Sequence, residues 1–342
     1  MAIIMKRLTA FLLAFLLPAL ALAGCGQSDT PANIGADKKI SVVCTVFPVY
    51  DWVRQILGNR TAETDLSYLL KSKIDFHNYQ PTVNDIVKIS TCDLFIYIGG
   101  ESDKWVEGAL SEATNRDMVV LNLLDMLGSA SLAEEIIEGM EEEQSADSVG
   151  PGDEDREVEA DLDEHVWLSL RNAQTFCLAI SDALSALEGD YAGEFGDNAA
   201  SYISGLKALD AEYQAMANAA PVNTLLFGDR FPFRYLVDNY GLEYFAAFPG
   251  CSAETEASFE TIIFLSNKVD ELGLDTVMVT ESADQTIART IINNTAVKDQ
   301  QILVLDSMQS VTSDDVQEGT TYLSLMGSNL NVLKEALGKV GS

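Results

Sequence analysis

ISGLKALDAEYQAMANAA, residues 203–220, contains no proline and carries an apolar face, and it runs straight into PVNTLLFG (221–228). The first stretch predicts a long helix, the second a turn followed by a buried strand. Toward the N-terminus the pattern stays helical from Asn172, with turn chemistry only at EGD and FGD. Before that come short apolar runs, ISVVCTV (40–46), DLFIYIG (93–99) and MVVLNLL (118–124), separated by amphipathic stretches such as YDWVRQIL. Toward the C-terminus TLLFG (224–228), YFAAF (244–248), TVMVT (276–280) and QILVLD (301–306) alternate with helical segments such as RYLVDNYG in the same manner. Short apolar runs alternating with helices predict parallel sheets. The expected fold class is therefore α/β, with two parallel-sheet domains joined by a long helix. The boundaries read as 38–190 for the first domain, 191–220 for the linker helix and 221–342 for the second.

The N-terminus has a different character. Lys6 and Arg7 precede the apolar run LTAFLLAFLLPALALAG, which contains Pro18 and ends in small residues before Cys25. This is the pattern of a secretory signal peptide, residues 1–24, rather than of a membrane-spanning helix. Leu22, Ala23, Gly24 and Cys25 resemble the lipobox of bacterial lipoproteins. Cys25 is thus expected to carry a lipid and hold a soluble body to the extracytoplasmic face of the cell membrane through a polar tether, residues 25–37.

The 342 residues hold 53 acidic and 21 basic side chains, a formal net charge of −32. Such a surface repels nucleic acid and anionic lipid and favours cations. Residues 134–164 concentrate this charge around the turn formers GPG and read as a solvated loop, with weak cation collection as the functional alternative. Cys44, Cys92, Cys177 and Cys251 show no CxxC spacing, which argues against a cysteine zinc site. Buried free thiols are expected, with a Cys44–Cys92 bridge as the alternative. HExxH and GxSxG are absent as well, so nothing marks a hydrolase.

In open α/β sheets ligands bind beyond the carboxyl ends of the strands. In the second half TLLFG leads to Asp229, TVMVT to Glu281 and QILVL to Asp306, three carboxylates on one predicted edge. The first half supplies the only two histidines, His77 in DFHNYQP and His165 in DEHVWLSL. Each stands at a loop junction beside acids, and Thr82 with Asp85 forms a helix cap just after His77. Imidazole with carboxylate is a donor set for zinc, manganese or iron.

These motifs carry a resemblance. HNYQPTVNDI is similar to the H-x-Y-E-P-T-x-x-D-I element of the solute-binding lipoproteins of zinc and manganese ABC importers (cluster A-I), and DEHVWLSL to their D-P-H-V-W-L-D-P. VFPVYDWV, YGL with SAETEAS, LVLDSM and YLSLMGSNLNVLKEAL extend it over nearly the whole mature chain. The resemblance implies that the joining helix is rigid and that one metal lies in the interdomain cleft. It also implies ligands at His77, His165, Asp306 and a position before Tyr235.

Gln80 stands for the family's Glu and Glu164 for its Pro, changes expected in the surroundings rather than in the ligands. At the third ligand the family has His or Glu five residues before the tyrosine, where this chain has Arg230, a cation that cannot bind metal. A one-residue shift gives Asp229, the preferred ligand, with Arg230 or Arg234 orienting a carboxylate; water or Glu281 is the alternative. The expected function is capture of Zn2+, with Mn2+ as the alternative cargo, and delivery by a monomeric carrier to an ABC permease. A lipid-anchored metalloenzyme and a surface adhesin are the rival readings.

Overall fold

The computed structural model describes residues 39–71, 76–141, 161–252 and 256–338. The signal peptide, Cys25, the tether and residues 142–160 of the acidic loop lie outside the described residues.

Two four-stranded parallel sheets share one topology. Strands β1 (Ser41–Cys44), β2 (Asp65–Tyr68), β3 (Leu94–Tyr97) and β4 (Val119–Asn122) lie in the order β2-β1-β3-β4. Strands β5 (Thr224–Phe231), β6 (Glu243–Pro249), β7 (Thr276–Thr280) and β8 (Gln301–Leu305) repeat it as β6-β5-β7-β8. In both sheets the chain order turns back between the two central strands, the switch point at which α/β proteins place ligands. Leu94, Phe95 and Ile96 of β3 and all five residues of β7 are buried, as strands covered on both faces by helices must be. The outer strands β4 and β8 are only partly covered.

The opening stretch forms the helix Ala192–Ala219, 28 residues long. The EGD turn before it is a short 3-10 turn, Gly189–Tyr191, after the helix Leu170–Leu187, whereas FGD leaves the long helix unbroken. Its buried residues, Phe195, Ala199, Ile203, Leu206, Tyr213 and Met216, recur at steps of three, four and seven residues, which keep to one face of a helix. Near its start Asn198 donates to the Ile56 carbonyl of the first sheet's opening helix (3.0 Å). Near its end Tyr213 donates to Met326 in the last helix, Tyr322–Leu337 (2.7 Å). That last helix returns to the first half, where the Tyr322 amide donates to the buried Asp51 carboxylate (2.9 Å). One helix therefore leans on both halves, and the C-terminal helix fastens them a second time.

The four described cysteines are free thiols, Cys44 and Cys92 included. Cys44, Cys92 and Cys177 are fully buried, and Cys251 is half-buried.

Candidate metal centre

His77 lies in a 3-10 turn, Phe76–Asn78, that follows β2. The turn is held on both sides. Phe76 is buried and meets Trp167 edge-on at 5.8 Å. Beyond it Thr82 caps the helix Val83–Thr91 in a capping box with Asp85, as its spacing predicts, and Tyr79 donates to the same Asp85 carboxylate (3.0 Å). The imidazole Nδ1 lies 2.8 Å from Ser102 Oγ and 3.3 Å from Glu164 Oε2. Glu164 also accepts the Ser102 amide (2.7 Å) and hydroxyl. Burial by itself raises its carboxyl, but the bonds from His77 and Ser102 outweigh burial and hold it below its ordinary range. Gly100, at φ +82°, is required here because a Cβ would overlap the Glu164 carboxylate.

His165 is fully buried. Its amide donates to Asp163 Oδ1 (2.9 Å) and its Nδ1 lies 3.2 Å from the same oxygen. Residues from the second half clamp this segment. Tyr235 donates to the Asp163 carbonyl (3.0 Å), Trp167 donates to the Ser307 carbonyl (2.9 Å), and Tyr322 donates to the Trp167 carbonyl (2.7 Å). The histidine is thus fixed by contacts that exist only when both halves are folded.

The two rings meet at Nε2, 3.1 Å apart. Both Nδ1 atoms face acceptors, so each is assigned as the N–H of its ring, and the Nε2 of a neutral imidazole is then a bare lone pair. Two lone pairs at this distance repel unless a cation lies between them. Zinc–nitrogen bonds of about 2.0–2.1 Å at a tetrahedral centre put two nitrogens about 3.3 Å apart, close to the separation seen. A carboxylate behind each imidazole is the arrangement that orients metal-binding histidines and raises their basicity.

Among the described residues, the one group of three or more metal-type side chains is His77, His165 and Cys251, with ligand atoms all within 4.8 Å of one another. Cys251 follows β6. Its thiol is pushed well up by burial and then by Glu134, Asp163 and Glu164, so it is a neutral thiol in the metal-free protein.

The expected carboxylates fall outside this group. Asp229 is engaged at the other side of β5, accepting the Thr280 amide (2.9 Å) and hydroxyl. Arg230 reaches the Ser252 carbonyl (3.3 Å) on the loop that bears Cys251. Arg234 lies 3.3 Å from the Glu135 carboxylate, near in distance but not aligned as a hydrogen bond. Glu281 accepts from the Ser307 amide (2.8 Å) and from the Ser307 and Ser310 hydroxyls (3.0 and 3.2 Å). Asp306 accepts the Met308 amide (2.7 Å), and burial, followed by repulsion from Glu281, pushes its carboxyl up to about 7. Asp306 and Glu281 line a cavity of about 750 Å³ that also includes Lys71 and Asp315.

Cys251 was legible by the rule that selects Asp229, Glu281 and Asp306. β6 also ends at that edge, and YFAAF leads through Pro249 and Gly250 to a thiol rather than a carboxylate.

Two like-wound parallel sheets, a long helix packed against helices of both halves and a carboxylate-backed imidazole pair define an α/β protein of solute-receptor architecture. The chain belongs to the family of the periplasmic zinc-uptake complex component A, ZnuA, which it matches over residues 42–336. It is 30% identical over 341 residues to the zinc-binding lipoprotein AdcA of Streptococcus pneumoniae, covering 98% of this chain and 62% of that protein. It is 27% identical over 319 residues to the high-affinity zinc uptake system protein ZnuA of Bacillus subtilis, covering 93% of this chain and 94% of that one. The crystal structure of the Zn(II)-bound ZnuA-like domain of S. pneumoniae AdcA superposes with a TM-score of 0.67 at 26% identity, over 88% of this chain and all of that domain. The chain thus spans less than two thirds of the AdcA protein but nearly the whole of the Bacillus relative.

Proposed function

We propose that this protein captures a divalent transition metal outside the cytoplasm, zinc in first place and manganese in second, and hands it to an ABC importer in the membrane. The observation that carries the reading is the pair of Nε2 atoms 3.1 Å apart, each ring held from behind by a carboxylate. His77 and His165 supply the first two bonds to the ion. The relatives named for zinc binding and zinc uptake support zinc as the cargo. The protein acts as a monomeric carrier and not as an enzyme, tethered through Cys25. The sheets form two domains, 38–190 and 221–342, with 191–220 as the linker and the ion held in the cleft between them.

The test is direct. Chelator-stripped protein is titrated with zinc and with manganese in competition with a chromogenic chelator. One zinc per chain is expected, with affinity falling by orders of magnitude in His77→Ala and in His165→Ala. Zinc binding unchanged in both variants would overturn the proposal.

A further inference from the structure

We infer that Cys251 is the third ligand of this centre, its thiolate supplying the donor expected from the end of β5. The inference rests on the metal-capture function proposed above and names the donor set that would carry it.

Two observations and the bond lengths of zinc converge on the thiol. Its sulfur shares a 4.8 Å group with the two imidazoles, while Asp229 is occupied by Thr280. A tetrahedral zinc with bonds of about 2.05 Å to nitrogen and 2.3 Å to sulfur separates those atoms by about 3.6 Å. The sulfur therefore has to approach by at most about 1.2 Å, which a side-chain rotation of Cys251 can supply.

The loop is also built to hold the thiol there. The Cys251 amide donates to Glu134 Oε1 (3.0 Å). Gly250 lies so close to the His165 ring that a Cβ would sit 3.0 Å from Cε1 and 2.9 Å from the Phe231 carbonyl. A side chain at position 250 would push the loop off the histidine. Arg230, standing where the resemblance places a ligand, reaches the Ser252 carbonyl instead and braces the loop from β5. It is a positioning residue.

The other described cysteines, Cys44, Cys92 and Cys177, have no such placement, since they are enclosed in the core. The chemistry is balanced: on binding, the Sγ–H bond breaks, the metal–sulfur bond forms and the proton leaves to solvent. Two neutral imidazoles and one thiolate reduce the charge of a divalent ion to +1, and Asp163 and Glu164 compensate the remainder from behind. A thiolate also separates the candidate cargoes. Zinc accepts sulfur readily, whereas manganese prefers oxygen. The fourth position is left to water or another oxygen donor.

The purified, chelator-stripped full chain loaded with Co2+ tests this, because a cobalt–thiolate bond adds a near-ultraviolet charge-transfer absorption that imidazole and carboxylate do not give. The expected result is one cobalt per chain with that absorption, absent in Cys251→Ser, and zinc affinity at least tenfold lower in the variant. Zinc should also slow alkylation of Cys251 in the unmutated protein, a readout that needs no variant to fold. If the unmutated protein binds cobalt one to one without the sulfur absorption, and Cys251→Ser keeps its zinc affinity within twofold, Cys251 is not a ligand and the metal-capture reading survives. If neither metal binds the unmutated chain at all, both fall.

Discussion

Glu164 stands where the resemblance expects a proline, and its carboxylate holds Ser102 and His77 together. Glu164→Gln keeps the size but removes the charge behind the imidazole. It is expected to lower zinc affinity by about 10- to 100-fold with little change in melting temperature. Competition titration and thermal melting measured together check this, and unchanged affinity would show that Ser102 alone orients the ring. Asp229 should behave in the opposite way. Its carboxylate joins β5 to β7 through Thr280, so Asp229→Ala leaves a buried amide without its acceptor. A loss of about 1–3 kcal/mol in stability is expected, with zinc affinity little changed. A large affinity loss without destabilisation would return Asp229 to the ligand set.

At the scale of elements, the turn after β3 buries Asp103, whose Oδ2 accepts the Ile98 and Gly99 amides (3.0 and 3.1 Å). Burial, first of all, pushes its carboxyl up to about 7 from an ordinary 3.8, although the Gly99 bond opposes the rise. The native state therefore holds a proton that the unfolded chain releases, and stability falls as pH rises from about 4 to about 7 and then levels off. Asp103→Asn retains the acceptor and removes the ionisation, so it should gain stability at pH 8 relative to the unmutated protein and change little near pH 4. Denaturant unfolding across that range measures the slope. Some slope should persist, because Asp306 is raised in the same direction. The helix Phe47–Leu57 provides a second case. Asp51, fully buried within it, accepts from Arg54 (2.7 Å), Gln55 (3.2 Å) and the Tyr322 amide (2.9 Å). Asp51→Ala is expected to cost on the order of 3 kcal/mol by equilibrium unfolding, since it strands an amide and unpairs a partly covered guanidinium.

For the whole molecule, the ion and the fold are linked. The two histidines are 88 positions apart in sequence and meet only in the native state, so zinc, the proposed cargo, is expected to bind the folded chain and stabilise it. At a free concentration a hundred times the dissociation constant the gain is about 2.7 kcal/mol. The melting temperature should rise on adding zinc in unmutated protein and stay fixed in His165→Ala; a rise in both would indicate binding elsewhere. The net charge of −32 acts at longer range. Zinc association should be faster at low ionic strength and slow as salt screens the field, a dependence that stopped-flow measurement resolves.

Strand and helix periodicity, read locally, determined most of the fold. Apolar runs placed every described strand but β2, whose DLSY alternates polar and apolar residues, the proline-free stretch placed the long helix, and the two histidine motifs marked the residues that form the imidazole pair. Each depends on interactions within a few residues, or on burial of whole segments, and these leave a trace in the order of residues. The third member of the cluster, Cys251, left only its place after a strand end, and nothing in the order of residues ranked it above the carboxylates at the other strand ends. Asp229 and Arg230 are adjacent on β5, where successive side chains point to opposite faces; one accepts from Thr280 and the other reaches Ser252, and the pairing of β5 with β6 is irregular between Phe227 and Arg230. Cys251 belongs beside the histidines because Gly250 lets its loop press against His165. The direction in which each strand-end side chain points depends on strand register and on contacts across more than a hundred residues, and only the folded chain sets those.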